Sequence, residues 1–543
     1  MATPGMLYVT MQPKPDLALE QFHEWYNNEH GPTRLRLPEI FSNGLRYRAT
    51  DDQEPSFLAT YDVTSMPLLE TPTYTTLRAN RSAREAETIG QVDVTRYFYD
   101  LVIEQKAPLF LPIEQLSDKE AEGIVLVAVE ITLKDESAEL EFKRWYAEEH
   151  IPMLAKVPGW LRTRLLKVSY IGDVGAGSKT TYLALHDFAR TNGLGGPEYK
   201  ASVATAWGAE VAKGVAAKNR RTYSLFYVFG PAPRDLSNLA KLPASSAGAF
   251  TAPDGKTTTV PAAGKDGAVI SSYITAEDRL SIPYRLEGSA EDDAPTVAFC
   301  NSLLTSLHMW DPVVELLKKR RPDLRILRYD ARGRHRIPGP PPVPATLDLL
   351  ASDLRAVLDA LRIPKLHALV GVSMGGATTA NFALKHPNRL ARFVACDFNA
   401  TSSAANTQAW KDRIALAEED GGAGIARLAE QTIGRWFHPA TMANKSLVGP
   451  MTDMVAGNDV EGFRYSCQAL WDYDLRPALP SCQVPGLLVV GDGDAKGALV
   501  RAMDGFKDLV GDDGAELKIV PNAGHLPMWE DPAAFWEAIQ DFL

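Results

Sequence analysis

Three residues in the last third of this chain have types and an order suited to acyl chemistry. Ser373 lies in Gly371-Val372-Ser373-Met374-Gly375, a G-x-S-x-G match that follows the apolar run Leu366–Val370 and precedes a helical pattern from Ala377 towards Lys385. The spacing predicts a buried strand turning at once into a helix. That turn is tight enough to strain the serine, and small residues two places either side let it close. The hydroxyl is lifted clear of the sheet, and the helix behind it aims backbone N–H groups and positive dipole at the same spot.

The bare motif arises by chance in long chains, so its partners decide. A nucleophilic serine needs a base to take its proton, and the base needs an acid to orient it. Pro485–Val490 reads as a short buried strand running into Gly491-Asp492-Gly493-Asp494, and Leu517–Val520 as another, followed by Pro521-Asn522-Ala523-Gly524-His525. Of the three histidines after Ser373 (His386, His438 and His525), only His525 is expected in a loop after a late strand. The ordered set Ser373, Asp494, His525 is therefore the candidate catalytic triad, with Asp492 as rival acid. Attack on a carbonyl, followed by water on the acyl-serine, needs neither metal nor organic cofactor. Ester or lactone hydrolysis is the favoured reading. Carbon–carbon cleavage of a β-diketone by the same residues, and a non-catalytic binding or scaffold protein, are the alternatives.

The elements around these residues are strands alternating with helices. Ile270–Thr275 and Leu280–Tyr284 open as a hairpin, then Thr296–Cys300 and Leu324–Tyr329 read as strands and Leu347–Leu361 as a helix. That order predicts a mostly parallel sheet with helices on both faces and a crevice off the carboxyl ends of its strands. Residues 400–480 read as helical, with Trp410, Trp436, Phe437, Tyr465, Trp471 and Tyr473 among acidic residues. They are expected to form a lid, and its aromatic lining suits a hydrophobic or aromatic substrate.

At 543 residues the chain is long enough for several cores, and its formal net charge of −11, without a basic stripe, speaks against nucleic acid as a partner. No run of 18 apolar residues and no leader pattern is present, so neither a membrane span nor export is expected. Cys300, Cys396, Cys467 and Cys482 are scattered without metal spacing, as thiols in a reducing cytoplasm would be. A homodimer is left open.

The first half contains an internal repeat. Gln21-Phe22-His23-Glu24-Trp25-Tyr26-Asn27-Asn28-Glu29-His30-Gly31-Pro32 returns as Glu141-Phe142-Lys143-Arg144-Trp145-Tyr146-Ala147-Glu148-Glu149-His150-Ile151-Pro152, an offset of 120. Later landmarks shift to 125: Asp62 to Asp187, Tyr74 to Tyr199, Arg96 to Arg221, the extra five residues falling in the loop 172–178. Each copy reads as strand, helix, two strands, helix, strand. In the first copy these are Met6–Met11, Leu17–Asn28, Gly44–Thr50, Phe57–Val63, Thr73–Ala86 and Val92–Glu104. This is the order of a ferredoxin-like unit, whose sheet leaves one face free to pack on a second copy. His30 and His150 are the candidate residues of a second site; the plainer reading is that Glu-His-x-Pro closes a helix. The expected organisation is repeat 1 over 1–115, repeat 2 over 116–232, a Pro/Ala/Ser/Gly/Thr-rich extended linker over 233–267, and the sheet domain over 268–543 with its lid at about 400–480.

The repeated W-Y-x-x-E-H-x-P signature resembles the dimeric α+β barrel superfamily, and within it the EthD-like proteins. The second half resembles the α/β-hydrolase fold, in its 3-oxoadipate enol-lactonase branch, through Asn301–Asp311 (N-S-L-L-T-S-L-H-M-W-D), Arg328–Arg334 (R-Y-D-A-R-G-R), Val370–Gly376 (V-G-V-S-M-G-G), Val489–Asp494 (V-V-G-D-G-D) and Asn522–Pro527 (N-A-G-H-L-P). The resemblance implies Ser373 as nucleophile, Asp494 as acid and His525 as base. It also implies the amides of Leu303 and Met374 as oxyanion hole, and Asn301 and Trp471 as substrate contacts. Leu304 stands where that branch has glycine, and Arg334-His335-Arg336 replaces a G-x-G-x-S run.

Overall fold

The computed structural model describes residues 3–171, 180–243, 248–262, 267–340 and 342–543. The chain divides into two compact units, Met1–Pro233 and Arg234–Leu543. The loop expected to absorb the five-residue shift of the repeat lies outside the described residues.

The first unit is a closed eight-stranded antiparallel barrel. Its strands are β1 (Gly5–Pro13), β2 (Leu45–Ala49), β3 (Phe57–Val63), β4 (Val92–Lys106), β5 (Val125–Leu133), β6 (Trp160–Val168), β7 (Thr181–Phe188) and β8 (Val215–Val228). Around the barrel they run β1-β3-β2-β8-β5-β7-β6-β4, with β4 returning to β1. Each copy thus keeps the same neighbour order, and the copies join at β2–β8 and β4–β6. Facing sheets alone would leave four open edges. Pairing them, over Tyr223–Val228 of β8 and Tyr99–Lys106 of β4, satisfies edge N–H and C=O groups along both seams, which favours closure.

Alternation along the strands sorts the cores. Met6 and Tyr8 point inward and meet Tyr47 and Leu58 of their own copy and Leu126, Ala128 and Tyr223 of the other. Leu7, Val9 and Met11 point outward under Phe22, Trp25 and Tyr26, as Val127, Val129 and Ile131 do under Phe142 and Tyr146. The lumen is packed, and each copy has its own helix layer outside it.

The helical segments differ from expectation in two places. Glu-His-x-Pro does not close a helix: an α-turn over Leu19–Trp25 widens at Tyr26–His30, where the Gly31 N–H reaches back five residues to Tyr26 O, and helix resumes over Gly31–Leu35. The second copy repeats this at Tyr146–His150. Widened turns of this kind are frequent at functional sites. The expected helix Thr73–Ala86 is two, Pro72–Ala79 and Ala83–Gly90, because the Ser82 hydroxyl accepts the Glu85 N–H at 2.9 Å and caps a new start.

The second unit is built on a ten-stranded sheet. Its strands are β9 (Phe250–Thr251), β10 (Thr258–Val260), β11 (Val269–Thr275), β12 (Ser281–Gly288), β13 (Thr296–Cys300), β14 (Arg325–Tyr329), β15 (Ala368–Val372), β16 (Phe393–Cys396), β17 (Gly486–Gly491) and β18 (Glu516–Val520). The order is β18-β17-β16-β15-β13-β14-β12-β11-β10-β9, parallel from β14 to β18 and antiparallel beyond. The stretch read as an extended linker is in part sheet: β10 pairs with β11 through Thr258↔Ser271 and β9 pairs with β10. Short Thr-rich strands on an edge carry little apolar periodicity, so composition alone misses them. β13 and β15 are buried throughout, as parallel strands covered on both faces must be. Between β16 and β17 the chain forms the helices Ala404–Glu418, Gly424–Trp436, Lys445–Ala456 and Val460–Cys467. Among the described residues no helix is long and apolar enough to cross a membrane.

Candidate active site

β15 ends at Val372, and the chain reverses at Ser373 into the helix Met374–Lys385. Ser373 has φ 59° and ψ −120°, angles an L-residue holds only when its surroundings impose them. A Cβ on Gly371 would stand 2.2 Å from the Gly375 carbonyl oxygen, and one on Gly375 would stand 2.2 Å from that of Cys300. Both glycines are therefore demanded by backbone closeness. From Ala368 to Ala380, Ser373 is the one residue that is not buried.

Asp494 follows β17 and His525 follows β18. The His525 Nδ1 lies 2.7 Å from Asp494 Oδ2. Asp494 is buried, whereas Asp492 is exposed and uses its N–H to extend the ladder to Val520 O at 3.0 Å. The geometry therefore pairs His525 with Asp494 and not with its rival. The other two histidines lie elsewhere. His386 packs on Phe382, and His438 lies against Gly493 with its Nδ1 accepting the Ala440 N–H at 3.2 Å.

The loop carrying His525 is pinned by groups the sequence reading did not single out. The His525 N–H donates to Trp436 O at 2.6 Å, and the two rings lie 5.4 Å apart. Glu530 accepts the Gly524 N–H on Oε1, and on Oε2 the His438 N–H and the Thr441 hydroxyl, each at 2.8 Å. Burial pushes the Glu530 carboxyl upward, against these donors.

Asp397 was also missed. It follows β16 with φ 44°, and its Oδ1 accepts the Gly491 N–H at 2.9 Å. One nitrogen or oxygen from each of Asp397, Asp494 and His525 lies within 4.8 Å of the others. Complete burial, and then the Asp494 carboxylate, push Asp397 well above the carboxylate range, so it stays protonated. Its Oδ2 meets no donor, as suits the oxygen that carries the proton. The visible signal was a buried strand, F-V-A-C, ending in an acid, the pattern that marks Asp494.

The loop after β13 holds Leu303, whose N–H makes no hydrogen bond among the described residues, and Leu304, held at φ 69° where glycine is usual. Met374, first in its helix, has no N–H partner within that helix. Asp330 Oδ1 fixes the loop by accepting the Leu307 N–H at 2.6 Å, and its Oδ2 lies 2.6 Å from His335 Nε2. Asn458 Nδ2 donates to Leu304 O at 2.8 Å, and Arg334 Nη1 donates to Met454 O at 3.0 Å. The departure at Arg334 thus ties the loop to the helix Lys445–Ala456, since its Nη1 also lies 3.4 Å from Leu304 O.

Asn301, expected to contact a substrate, is buried with its amide engaged by the protein. Its Nδ2 donates to Tyr329 O at 2.9 Å and Asp330 Oδ1 at 3.2 Å, and its Oδ1 accepts the Trp310 Nε1–H at 3.0 Å, so its amide is spent inside the loop. Trp471 is half-buried beneath Lys411, whose Nζ stands 5.5 Å from the ring centroid. His30 and His150 lie in the first unit in unlike surroundings, His30 Nδ1 at 2.6 Å from Glu85 Oε1 and His150 Nδ1 at 3.1 Å from Ser202 O.

A family model described as alpha/beta hydrolase fold matches residues 295–532. The 3-oxoadipate enol-lactonase 2 of Acinetobacter baylyi is 30% identical over 268 residues, covering 49% of this chain and 94% of that protein. The 3-oxoadipate enol-lactonase 1 of the same organism is 31% identical over 276 residues, covering 50% and 97%. Among solved structures, the enol-lactonase from Burkholderia xenovorans LB400 is 30% identical, covering 50% of this chain and 98% of that one, with a TM-score of 0.44.

Proposed function

Since the chain belongs to the alpha/beta hydrolase fold family and is a hydrolase acting on esters, we propose that it cleaves a carboxylic ester or lactone of a hydrophobic or aromatic small molecule through an acyl-serine on Ser373. The observation that carries this reading is the 2.7 Å contact of His525 with Asp494, and the strained turn of Ser373 at the end of β15, in the same sheet, supports it.

In this reading Nδ1 of His525 donates to Asp494, which leaves Nε2 to take the Ser373 proton as Oγ attacks the carbonyl carbon. The tetrahedral oxyanion is received by the N–H groups of Leu303 and Met374; losing one such donor costs about 100-fold or more in turnover. His525 returns its proton to the leaving alkoxide, then activates water to release the acid. Trp471 is the aromatic side chain proposed at the substrate. The enol-lactone named for the relatives is the first substrate to try, and the lashed loop at Leu304 is the feature most apt to change it.

The first unit is proposed to be a tandem ferredoxin-like pair of the EthD-like, dimeric α+β barrel kind. The neighbour order β4-β1-β3-β2, repeated as β8-β5-β7-β6, supports it. The proposed repeat boundary lies near residue 115, and the cytoplasm is the proposed location.

A serine-reactive phosphonate should label Ser373 and abolish turnover of a p-nitrophenyl ester, and Ser373→Ala should be inert. Full turnover by Ser373→Ala would overturn the reading.

A further inference from the structure

The amide proposed to receive the oxyanion, that of Leu303, lies in a turn whose shape its own residues do not favour. The Thr305 N–H donates to Ser302 O at 3.2 Å and closes a four-residue turn with Leu303 and Leu304 in its middle. Leu304 holds φ 69°, and Leu303 does not share the positive sign. Positive φ at the third residue alone is the type II arrangement, which reserves that place for glycine or asparagine. A leucine there is strained. The strain is relieved by rotating the peptide between Leu303 and Leu304 into the type I form. That rotation reverses the Leu303 carbonyl, on the same residue as the N–H that would meet the oxyanion.

Contacts from the helix Lys445–Ala456 and the residues just after it oppose this rotation. Asn458 Nδ2 donates to Leu304 O at 2.8 Å and to Val455 O at 2.8 Å, so one buried amide joins the turn to the end of the helix. Arg334 Nη1 lies 3.0 Å from Met454 O and, at a longer 3.4 Å, from Leu304 O. The Ser306 N–H, just past the turn, donates to Met454 Sδ at 3.4 Å. The helix is held near its other end as well. The Trp529 Nε1–H donates to Leu447 O at 3.0 Å, and Trp529 belongs to the short helix Pro527–Glu530 that follows His525. One helix therefore spans from the loop of the base to the turn of the oxyanion amide.

Glycine at position 304 would hold φ 69° unaided. With leucine in its place the turn depends on what grips its carbonyl, and Asn458 makes the shortest such bond. We propose that Asn458 is a positioning residue for the oxyanion amide. It holds Leu304 O, keeps Leu304 in the left-handed region, and so keeps the Leu303 N–H aimed at the charge that develops in the transition state. This rests on the hydrolase reading above. Asn458 itself touches no reacting atom, and Arg334 is a second, longer hold on the same carbonyl.

The test is a double-mutant cycle on the full chain: Asn458→Ala in the parent and in Leu304→Gly. Turnover of p-nitrophenyl acetate is measured beside inhibition by phenylboronic acid, whose tetrahedral adduct on serine sets an oxygen where the oxyanion stands. In the parent, Asn458→Ala should lower kcat about 10-fold with KM within about twofold, and weaken the boronate by the same factor, since the amide is displaced and not removed. In Leu304→Gly the same substitution should cost no more than about threefold, because glycine keeps the turn without help. Asn458→Asp keeps the shape but offers no donor. It should lose kcat as the alanine variant does, and it serves if that variant fails to fold. Equal losses in the two backgrounds would overturn the inference, because a merely loosened helix gains nothing from the glycine. Parent-like kcat in Asn458→Ala, with the parent still silenced by the phosphonate, would overturn it and leave the hydrolase reading standing. Parent turnover that survives labelling by the phosphonate would overturn both.

Discussion

Asp397 and Asp494 leave the neighbouring strands β16 and β17, and their carboxyl groups converge on His525, the first buried and protonated, the second in contact with the imidazole. Two adjacent carboxylates cannot both stay charged in so dry a place. In the proposed reaction Asp397 would act on the histidine through Asp494, as a positioning residue.

Asp397→Asn keeps an N–H donor towards Asp494 and should retain kcat within about threefold. Asp397→Ala should lose about 10-fold in kcat with KM unchanged, the scale of one hydrogen bond to a charged group. Stability gives an independent readout. A carboxyl with a raised folded pKa binds more protons folded than unfolded, so its stabilising effect is complete below the unfolded value near 3.9 and is lost as pH rises towards the folded one. Melting profiles from pH 4 upward should therefore show the parent losing stability relative to Asp397→Asn. Parallel profiles would remove the protonated assignment.

Between the two candidate acids, Asp494→Asn should lower kcat by about 10⁴-fold, the scale found when a triad histidine is left in the wrong tautomer. Asp492→Asn should turn over as the parent does, because its side chain is exposed and away from the imidazole. Steady-state rates on one p-nitrophenyl ester decide this, and a reversed order would move the acid to Asp492.

Ser373 is held at φ 59° and ψ −120°, and strain of this kind costs about 1–3 kcal/mol. Glycine adopts such angles freely. Ser373→Gly should therefore be inactive yet more stable than Ser373→Ala by about 1 kcal/mol in urea denaturation. Equal stability would show that the turn is relaxed.

Glu530 gathers three donors that hold the His525 loop, the Gly524 and His438 amides and the Thr441 hydroxyl. Glu530→Ala leaves them unsatisfied, at about 1–3 kcal/mol for each that water cannot reach. The variant should melt at lower temperature and lose kcat together. Glu530→Gln keeps an acceptor and should recover part of both; a Gln variant no better than Ala would show that the charge, and not the bonding, holds the loop.

A fragment of residues 234–543 should stay monodisperse, whereas one of residues 268–543 should associate. The shorter piece lacks β9 and β10 and bares the β11 edge, whose unpaired N–H and C=O groups template further pairing. Sedimentation of the two fragments checks it, and equal behaviour would return residues 248–260 to the role of a linker.

Much of this protein is written locally in its chain. The strand-elbow-helix at Ser373, and the strands that end at Asp494 and His525, are set by apolar runs of fixed length broken by glycine. Such patterns depend on near neighbours alone. The repeat is legible for the same reason: identical spacings such as Trp25 to His30 and Trp145 to His150 carry their own evidence.

Other features required residues distant in sequence to meet. Asp397 gains its proton only because burial and Asp494 act on it together, and Glu530 reaches its donors because three loops converge. Asn301 matches a motif yet loses its amide to Tyr329, Asp330 and Trp310. The unlike environments of His30 and His150 arise from residues 55 and 52 positions away, Glu85 and Ser202. Charge, burial and hydrogen-bond saturation are properties of the assembled surroundings, so two copies of one W-Y-x-x-E-H-x-P pattern acquired different hydrogen-bond partners.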